Sequence, residues 1–348
     1  MSRVPPSLWM AVTPRNKKES WAVRMKIVIL GAGGWGALVG AHLSLAGADV
    51  ALLFRRQQHV DEIKKNNGLI IQGVGGDKIV PVYATTHPQE VEEADLLIVA
   101  VKNHDTEVAL EQVRHMKIKA VASVQNGLGH AERFRQWFPE QDILRMVSRV
   151  AGSLLDYGRV QRGDADFPTW MGDPFNGVTP FVQEVVALFN AGGLPCEAKK
   201  DIEDVEWCKI IWWSPSSISA VLARLPQTEV MQSPEFAYLM VMMTRDMVKV
   251  AKQYGIVVRD YPTIEVMDRV DGSVEEGVQN VIRHGQEWEA RGGKGYKQAM
   301  LLDVERGRRT EIEDTAGYIR RLAAQKNIEV PYLDFGYRVV KAFDDRVA

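Results

Sequence analysis

A continuous apolar run, MKIVIL (residues 25–30), passes directly into GAGGWG and then into ALVGAHLSLAG. The first run suits a strand buried on both faces of a parallel sheet. The last has helical spacing and a glycine stop at Gly47. Between them Gly31, Gly33 and Gly36 stand in GxGxxG spacing. The first glycine permits the tight turn, the second lets backbone approach a pyrophosphate, and the third allows close helix packing. A helix N-terminus then faces the phosphates with its positive dipole end. GxGxxG alone is a weak signal, but a strand before it and a helix after it are the context a dinucleotide loop requires. Gly31, Ala32, Gly33, Gly34, Trp35 and Gly36 are therefore the expected cofactor loop.

DVALLF reads as the second strand and completes a βαβ unit. The end of that strand selects the cofactor, because NAD enzymes place an acid there for the ribose 2′-hydroxyl. Here Arg55 and Arg56 occupy that place, while Asp49 lies at the wrong end of the strand. An arginine suits a 2′-phosphate, and one charge-assisted hydrogen bond favours NADPH by roughly 10- to 150-fold. The expectation is NADPH through Arg55; the competing one is that both arginines are solvated loop residues.

DLLIVAV and AVASVQ are two further buried strands, ILRMVSRVAGSLL and TWMGD continue the β pattern, and YGRVQRGD suggests a hairpin. Strands alternating with helices imply a doubly wound α/β domain over residues 25–197. Beyond it PEFAYLMVMMTRDMVKVAKQYG and RRTEIEDTAGYIRRLAAQKN carry apolar faces at helical spacing, so residues 198–348 are expected to be all-helical. With 348 residues, two domains are also what chain length predicts.

Lysine plus arginine number 43 against 45 acidic residues, a net charge of −2, which provides no attraction to nucleic acid or anionic membrane. The basic stretch RHGQEWEARGGKGYK also contains Glu287 and Glu289 and reads as a solvated inter-helix loop, loosened by Gly292, Gly293 and Gly295 and able to gate a cleft. Two cysteines, Cys196 and Cys208, are too few for a disulfide framework and fit a cytoplasmic protein. The 7 histidines are scattered without HxH or HExxH spacing, so no metal is expected, and Asp105 after His104 is read as a helix cap. Residues 1–24 are basic and contain prolines, and are expected to form a flexible extension, with mitochondrial targeting as the alternative.

The motifs GAGGWG, AVKNHDT, SVQNGLG, EWCK and RRTEIEDTAGYI follow one another in the order and spacing of the ketopantoate reductases, which the chain resembles from Met25 to about Asp345. The resemblance implies a Rossmann domain for NADPH and a helical domain of the 6-phosphogluconate dehydrogenase C-terminal type that closes over a 2-keto acid. It also implies a cytoplasmic enzyme of pantothenate biosynthesis, often a dimer. By matching position, Lys102 and Asn126 lie beside cofactor and cleft, Lys209 is the general acid, and Glu311 binds in the cleft and orients ligand or lysine.

Elementary chemistry agrees with that assignment. Hydride arrival at a carbonyl builds an alkoxide, so an acid beside the oxygen lowers the barrier. In DVEWCKIIWWSPSS, Lys209 stands among Trp207, Trp212 and Trp213, which should desolvate it and lower its pKa, while a carboxylate such as Glu311 opposes the shift. The bland readings are a snorkelling Lys209, a turn at Asn126-Gly127, a solvated Lys102, and a surface-helix Glu311 paired with Arg308 or Thr315.

The chain departs from the family around the substrate. Family asparagines fall here on Trp213, Ser217 and Tyr296, and a substrate-contacting serine falls on Ala299, within QAMLLD. Loss of those groups weakens recognition of a small hydroxylated acid by about 10⁴-fold in discrimination. The expected substrate is therefore ketopantoate or a larger, more aromatic 2-keto acid. A D-2-hydroxyacid dehydrogenase is the near alternative, and a non-catalytic NADPH sensor the alternative of another class.

Overall fold

The computed structural model describes residues 24–73, 76–163 and 168–347. The basic extension expected before Met25 falls, Arg24 apart, outside the described residues. In chain order the strands are β1 (Lys26–Leu30), β2 (Asp49–Leu53), β3 (Leu69–Gln72), β4 (Lys78–Val80), β5 (Tyr83–Thr85), β6 (Glu93–Val99), β7 (Lys117–Ser123), β8 (Asp142–Ser148), β9 (Gly152–Asp156), β10 (Arg159–Arg162), β11 (Thr169–Gly172) and β12 (Cys196–Ala198). Eight of them form one sheet in the order β12-β11-β8-β7-β6-β1-β2-β5. β5, β2, β1, β6, β7 and β8 are parallel, whereas β11 is antiparallel to β8. The apolar runs read from the sequence form the centre of this sheet, and Ile29, Leu96, Leu97, Ile98 and Val121 are fully buried.

The remaining strands form a second sheet, β4-β3-β10-β9, of which the sequence pattern suggested only the β9–β10 hairpin around Tyr157-Gly158. ILRMVSRVAGSLL divides between the two sheets: β8 stays in the large one and β9 leaves to pair with β10. The small sheet lies over α1 (Gly34–Leu45), which packs on β1 and β2 on its other side. That explains why α1 is apolar all round, with every residue from Gly36 to Leu43 buried. Its glycines permit the sandwich. A Cβ at Gly34 would sit 2.3 Å from the Gly152 carbonyl oxygen where α1 crosses the start of β9.

Four helices attend the sheet: α2 (Gln57–Lys65), α3 (Thr106–Gln112), α4 (His130–Trp137) and α5 (Pro180–Ala191). The helical half begins at α6 (Ile202–Ala223), whose flanks are covered by α7 (Gln227–Gln232), α8 (Pro234–Gln253), α10 (Ala299–Glu305) and α12 (Pro331–Asp344). α9 (Val274–Trp288) packs on α7 and α8, and α11 (Ala316–Gln325) joins α8 and α12. The apolar face of PEFAYLMVMM is used inside this core, where Ala237, Met240 and Val241 are fully buried.

Two expectations need correction. RRTEIEDTAGYIRRLAAQKN is helical only from Ala316, because the Thr315 hydroxyl donates back to the carbonyls of Glu311 (2.8 Å) and Ile312 (3.3 Å) and closes a turn there. The supposed loop at residues 283–297 starts as the last turns of α9 and opens only after Glu289, with Gly292 (φ +97°) and Gly295 (φ +77°) in left-handed conformation.

Candidate active site

Strand progress reverses at β1, which has β2 on one side and β6 on the other; the crevice above such a reversal is where α/β sheets bind ligands. The loops after β1, β6 and β7 emerge there side by side, since Leu30 pairs with Val99 and Val99 with Ser123. Gly31 turns the chain at φ +95°, and a Cβ on it would lie 2.6 Å from Val101 Cγ1 and 2.8 Å from Val101 N. Gly36 likewise admits the Gly31 carbonyl, 2.6 Å from a would-be Cβ. Gly33 differs, since nothing lies within 4 Å of its Cβ position. A side chain there would fill open space at the N-terminus of α1, the space a pyrophosphate needs. Asn103 Oδ1, buried just beyond β6, has no hydrogen-bond partner among the described residues. Both observations fit a dinucleotide in this crevice.

Arg55, after β2, is exposed and pairs with Asp105 at 3.5 Å. Asp105 occupies the N-cap position of α3 but makes no side-chain cap, because its carboxylate turns to Arg55 and its backbone is already helical (φ −95°, ψ −5°). The expectation of a capping aspartate is corrected accordingly.

A chain of polar contacts runs from the crevice into the helical half. Lys209 Nζ, on α6, donates to Asn126 Oδ1 at 2.9 Å. Asn126 Nδ2 donates to Glu311 Oε2 at 3.3 Å, and Lys102 Nζ donates to the same carboxylate at 3.2 Å and to Asp303 Oδ2 at 2.9 Å. Asn103 Nδ2 donates to the Asn126 carbonyl at 2.6 Å and reaches Glu311 Oε1 at 3.5 Å. Four residues from the expected set, Lys102, Asn126, Lys209 and Glu311, thus share one network. Asn103 and Asp303 were not anticipated, since nothing local distinguishes them. Glu311 is buried rather than on a surface helix, and Lys102 meets two carboxylates rather than bulk solvent.

Backbone contacts hold this network in register. Leu128 N donates to the Asp314 carbonyl at 3.0 Å, and a Cβ at Gly127 (φ +122°) would lie 2.7 Å from that oxygen. Thr310 is fixed on both its N–H and its hydroxyl by Asp344, each at 2.9 Å, which sets Glu311 next to it.

α6 is tied to the sheet by a buried ion pair between Arg145 of β8 and Glu206, one turn before Lys209. Arg145 also donates to the Ser123 carbonyl (2.8 Å) and the Gln125 carbonyl (3.1 Å). Burial lowers the Lys209 pKa from the usual lysine range to about 7; Arg145 and Arg149 push the same way, against Glu311 and Glu206. The two arginines were not foreseen as contributors. Burial also pulls on Lys102, but Glu311 and Asp303 outweigh it and raise that pKa. The ammonium of Lys102 therefore stays charged where it meets Glu311 and Asp303.

The expected substrate wall is less concentrated. Trp213 is half-buried, one helical turn from Lys209. Ser217 is fully buried and donates to the Gln298 side chain, so its hydroxyl is engaged inside the protein. Tyr296 is half exposed and meets the Trp288 ring at a tilt of 56° with ring centres 5.2 Å apart, and Ala299 is exposed at the start of α10. Pro215 interrupts the α6 ladder here, and buried Arg269 supports it by donating to the Trp212 carbonyl at 2.8 Å.

The family description "Ketopantoate reductase PanE/ApbA" matches residues 27–175, and its C-terminal counterpart matches residues 201–344. A 2-dehydropantoate 2-reductase of Pyrococcus abyssi is 31% identical over 309 residues, 88% of this chain and 94% of that protein. The crystal structure of a PanE/ApbA family ketopantoate reductase from Ralstonia eutropha JMP134 superposes with a TM-score of 0.77 at 26% identity, covering 93% of this chain and 99% of that one. D-mandelate dehydrogenase with NADH and anilino(oxo)acetate superposes with a TM-score of 0.78 at 21% identity over 93% of this chain and 99% of its own, a likeness of fold. With both halves matched and the two-domain architecture in common, the chain belongs to the ketopantoate reductase family.

Proposed function

We propose that this protein is an NADPH-dependent oxidoreductase that reduces a 2-keto acid to the 2-hydroxy acid. The observation that carries the reading is a lysine with a pKa lowered to about 7, hydrogen-bonded through Asn126 to a buried carboxylate beside a glycine loop. The residues that would hold the cofactor are Gly31, Ala32, Gly33, Gly34, Trp35 and Gly36 at the pyrophosphate, Arg55 at the 2′-phosphate, and Lys102, Asn126 and Glu311 toward the nicotinamide. A reduced nicotinamide, when bound, supplies hydride to the keto carbon.

The chain's own residues manage the proton. Glu311 accepts from Asn126 Nδ2, which leaves Asn126 Oδ1 to accept from Lys209 and aims the lysine amine. Lys209 gives a proton to the keto oxygen as negative charge builds there. Its pKa near neutrality makes it a better donor than an ordinary lysine and leaves it rechargeable from water. Desolvation by α6 and the Asn126 loop keeps the electrostatic stabilisation strong.

Trp213, Tyr296 and Ala299, standing where the family has polar residues, favour a bulkier or more aromatic acid than ketopantoate; a D-2-hydroxyacid dehydrogenase is the corresponding second reading. Nicotinamide absorbance, followed with NADPH and NADH against ketopantoate, 2-oxoisovalerate, phenylpyruvate and phenylglyoxylate, separates the readings. Efficient turnover of ketopantoate returns the substrate to the family's own, and no turnover of any acid overturns the reductase reading. A cytoplasmic homodimer is part of the same proposal, read by light scattering and by fractionation.

A further inference from the structure

β8 runs on past the end of β7, paired there only with β11. Its Arg145 lies opposite Ser123, the last residue of β7, and three further strand residues carry the chain up beside α6. The next residue is Arg149. Its guanidinium lies over the Trp212 ring, 4.3 Å from the centroid, and Trp212 is one helical turn from Lys209. Its Nε donates to Thr263 Oγ1 at 3.1 Å. Thr263 has φ +67°, a conformation that a β-branched residue adopts only when its surroundings force it. The forcing element is the tight pairing of Tyr261 with Ile264, whose N–H groups and carbonyls bond reciprocally at 3.0 and 2.8 Å. A strained turn therefore presents one hydroxyl to one arginine, and an aromatic face fixes the plane of that arginine.

This cation shares its surroundings with the proton donor. Arg149 helps depress the Lys209 pKa and interacts electrostatically with Tyr296. Burial lowers its own pKa to about 10, with Glu265 opposing that shift; Glu265 is itself held by His284 Nδ1 at 3.2 Å. Arg149 and Lys209 are near enough to repel one another, and an anion bound between two such cations is favoured by both. A 2-keto acid has its carboxylate adjacent to its keto oxygen, so one molecule can present the anion to an arginine and the oxygen to a lysine.

Resting on the reductase reading, we propose that Arg149 is the carboxylate anchor of the substrate site, holding the acid group of a 2-keto acid while Lys209 serves its keto oxygen. Arg149 thus replaces, by a planar charged fork, the polar groups absent at Trp213, Tyr296 and Ala299. The aromatic surfaces of Trp212, Trp213 and Tyr296 then face the side chain of the acid, which assigns the substrate class as aryl or branched 2-keto acids.

The test compares phenylglyoxylate with methyl phenylglyoxylate, which keeps the ketone and loses the charge. Arg149→Met should lower kcat/KM for the acid by about 10- to 100-fold, mostly through KM, and leave the ester within about twofold. Arg149→Lys, which keeps charge and loses the fork, should give an intermediate ratio and covers the case of a poorly folded methionine variant. Turnover by the wild type with an unchanged acid-to-ester ratio in either variant overturns the assignment alone. Equal losses on acid and ester, or weakened NADPH binding in place of weakened acid binding, also overturn it by showing a structural or cofactor role. Failure of the wild type to reduce any 2-keto acid overturns the reductase reading and this assignment together.

Discussion

Replacing Glu311 by glutamine removes one charge from the polar network and keeps its shape. The amide oxygen can still accept from Asn126 Nδ2 and from Lys102, which now bond the carboxylate at 3.3 and 3.2 Å. What changes is the field at Lys209, which sees the carboxylate across the Asn126 amide through hydrogen bonds of 2.9 and 3.3 Å, a path taken as roughly 7 Å for Coulomb's law. With an effective dielectric of about 20, that charge is worth about 2 kcal/mol to the ammonium, or about 1.5 pH units. The sign follows from the charge: an anion favours protonated lysine, so its removal lowers the Lys209 pKa below the wild-type value of about 7. Reduction requires the protonated amine, so kcat/KM falls as pH rises through that pKa. The falling limb of the kcat/KM profile, which reports the free enzyme, should move down by about one to one and a half pH units. At pH 7 the loss should be about 15-fold from this effect alone. The assay is nicotinamide absorbance across a pH series with the best keto acid. A limb that stays in place or moves upward would refute the electrostatic link between Glu311 and Lys209, whatever happens to the maximal rate.

Lys209→Ala should cut turnover about 10²- to 10⁴-fold while a fluorescence titration finds NADPH affinity nearly unchanged; an unaffected rate removes the lysine from the mechanism. Arg55→Ala should reduce the preference for NADPH over NADH by about 10- to 150-fold, and equal Michaelis constants for both cofactors in the wild type would reassign Arg55 as a solvated residue. Glu206→Ala leaves Arg145 buried without its carboxylate and should cost about 3 kcal/mol in urea unfolding, the low end for a broken buried pair because Ser123 and Gln125 still accept from Arg145. Unchanged stability would mean that water or a neighbour replaces Glu206.

The glycine loop was legible because everything it needs is local: an apolar strand, three glycines at fixed spacing and a helix behind them. Lys209 was visible as an oddity, but its company was not. Lys102 and Asp303 are 201 residues apart, and Arg145 meets Glu206 only because β8 and α6 pack together. Periodicity reports which side of an element is buried, and carries no information about which polar group lies across the interface. Of the second sheet the β9–β10 hairpin was legible, while its β3–β4 half escaped for a related reason. β3 and β4 are 4 and 3 residues long, too short to show alternation, and β3 finds β10 as its parallel partner only through the folding of everything between. Glu311 was placed on a helix because TEIEDTAGYI has helical spacing; the Thr315 hydroxyl, back-bonding to Glu311 and Ile312, was enough to stop it. Trp213 and Ala299 were read as departures from the family pattern, whereas Arg149 stood unnoticed four residues beyond Arg145.

The way Gly127 and Gly129 meet the other half of the chain bears on how such a protein changes its trade. A side chain at Gly127 would strike the Asp314 backbone, and one at Gly129 would meet the Tyr318 ring at 2.6 Å. The distance between Asn126 and Glu311 is thereby set by main-chain contact, outside the reach of drift in any one side chain. The aromatic surroundings of the cleft are under no such control: Tyr296 and Ala299 are exposed. On the proposed function, a lineage can exchange wall residues one at a time and sample new acids while the spacing of Asn126 and Glu311 stays put. The same asymmetry tells a protein engineer where to randomise and where to leave the backbone alone.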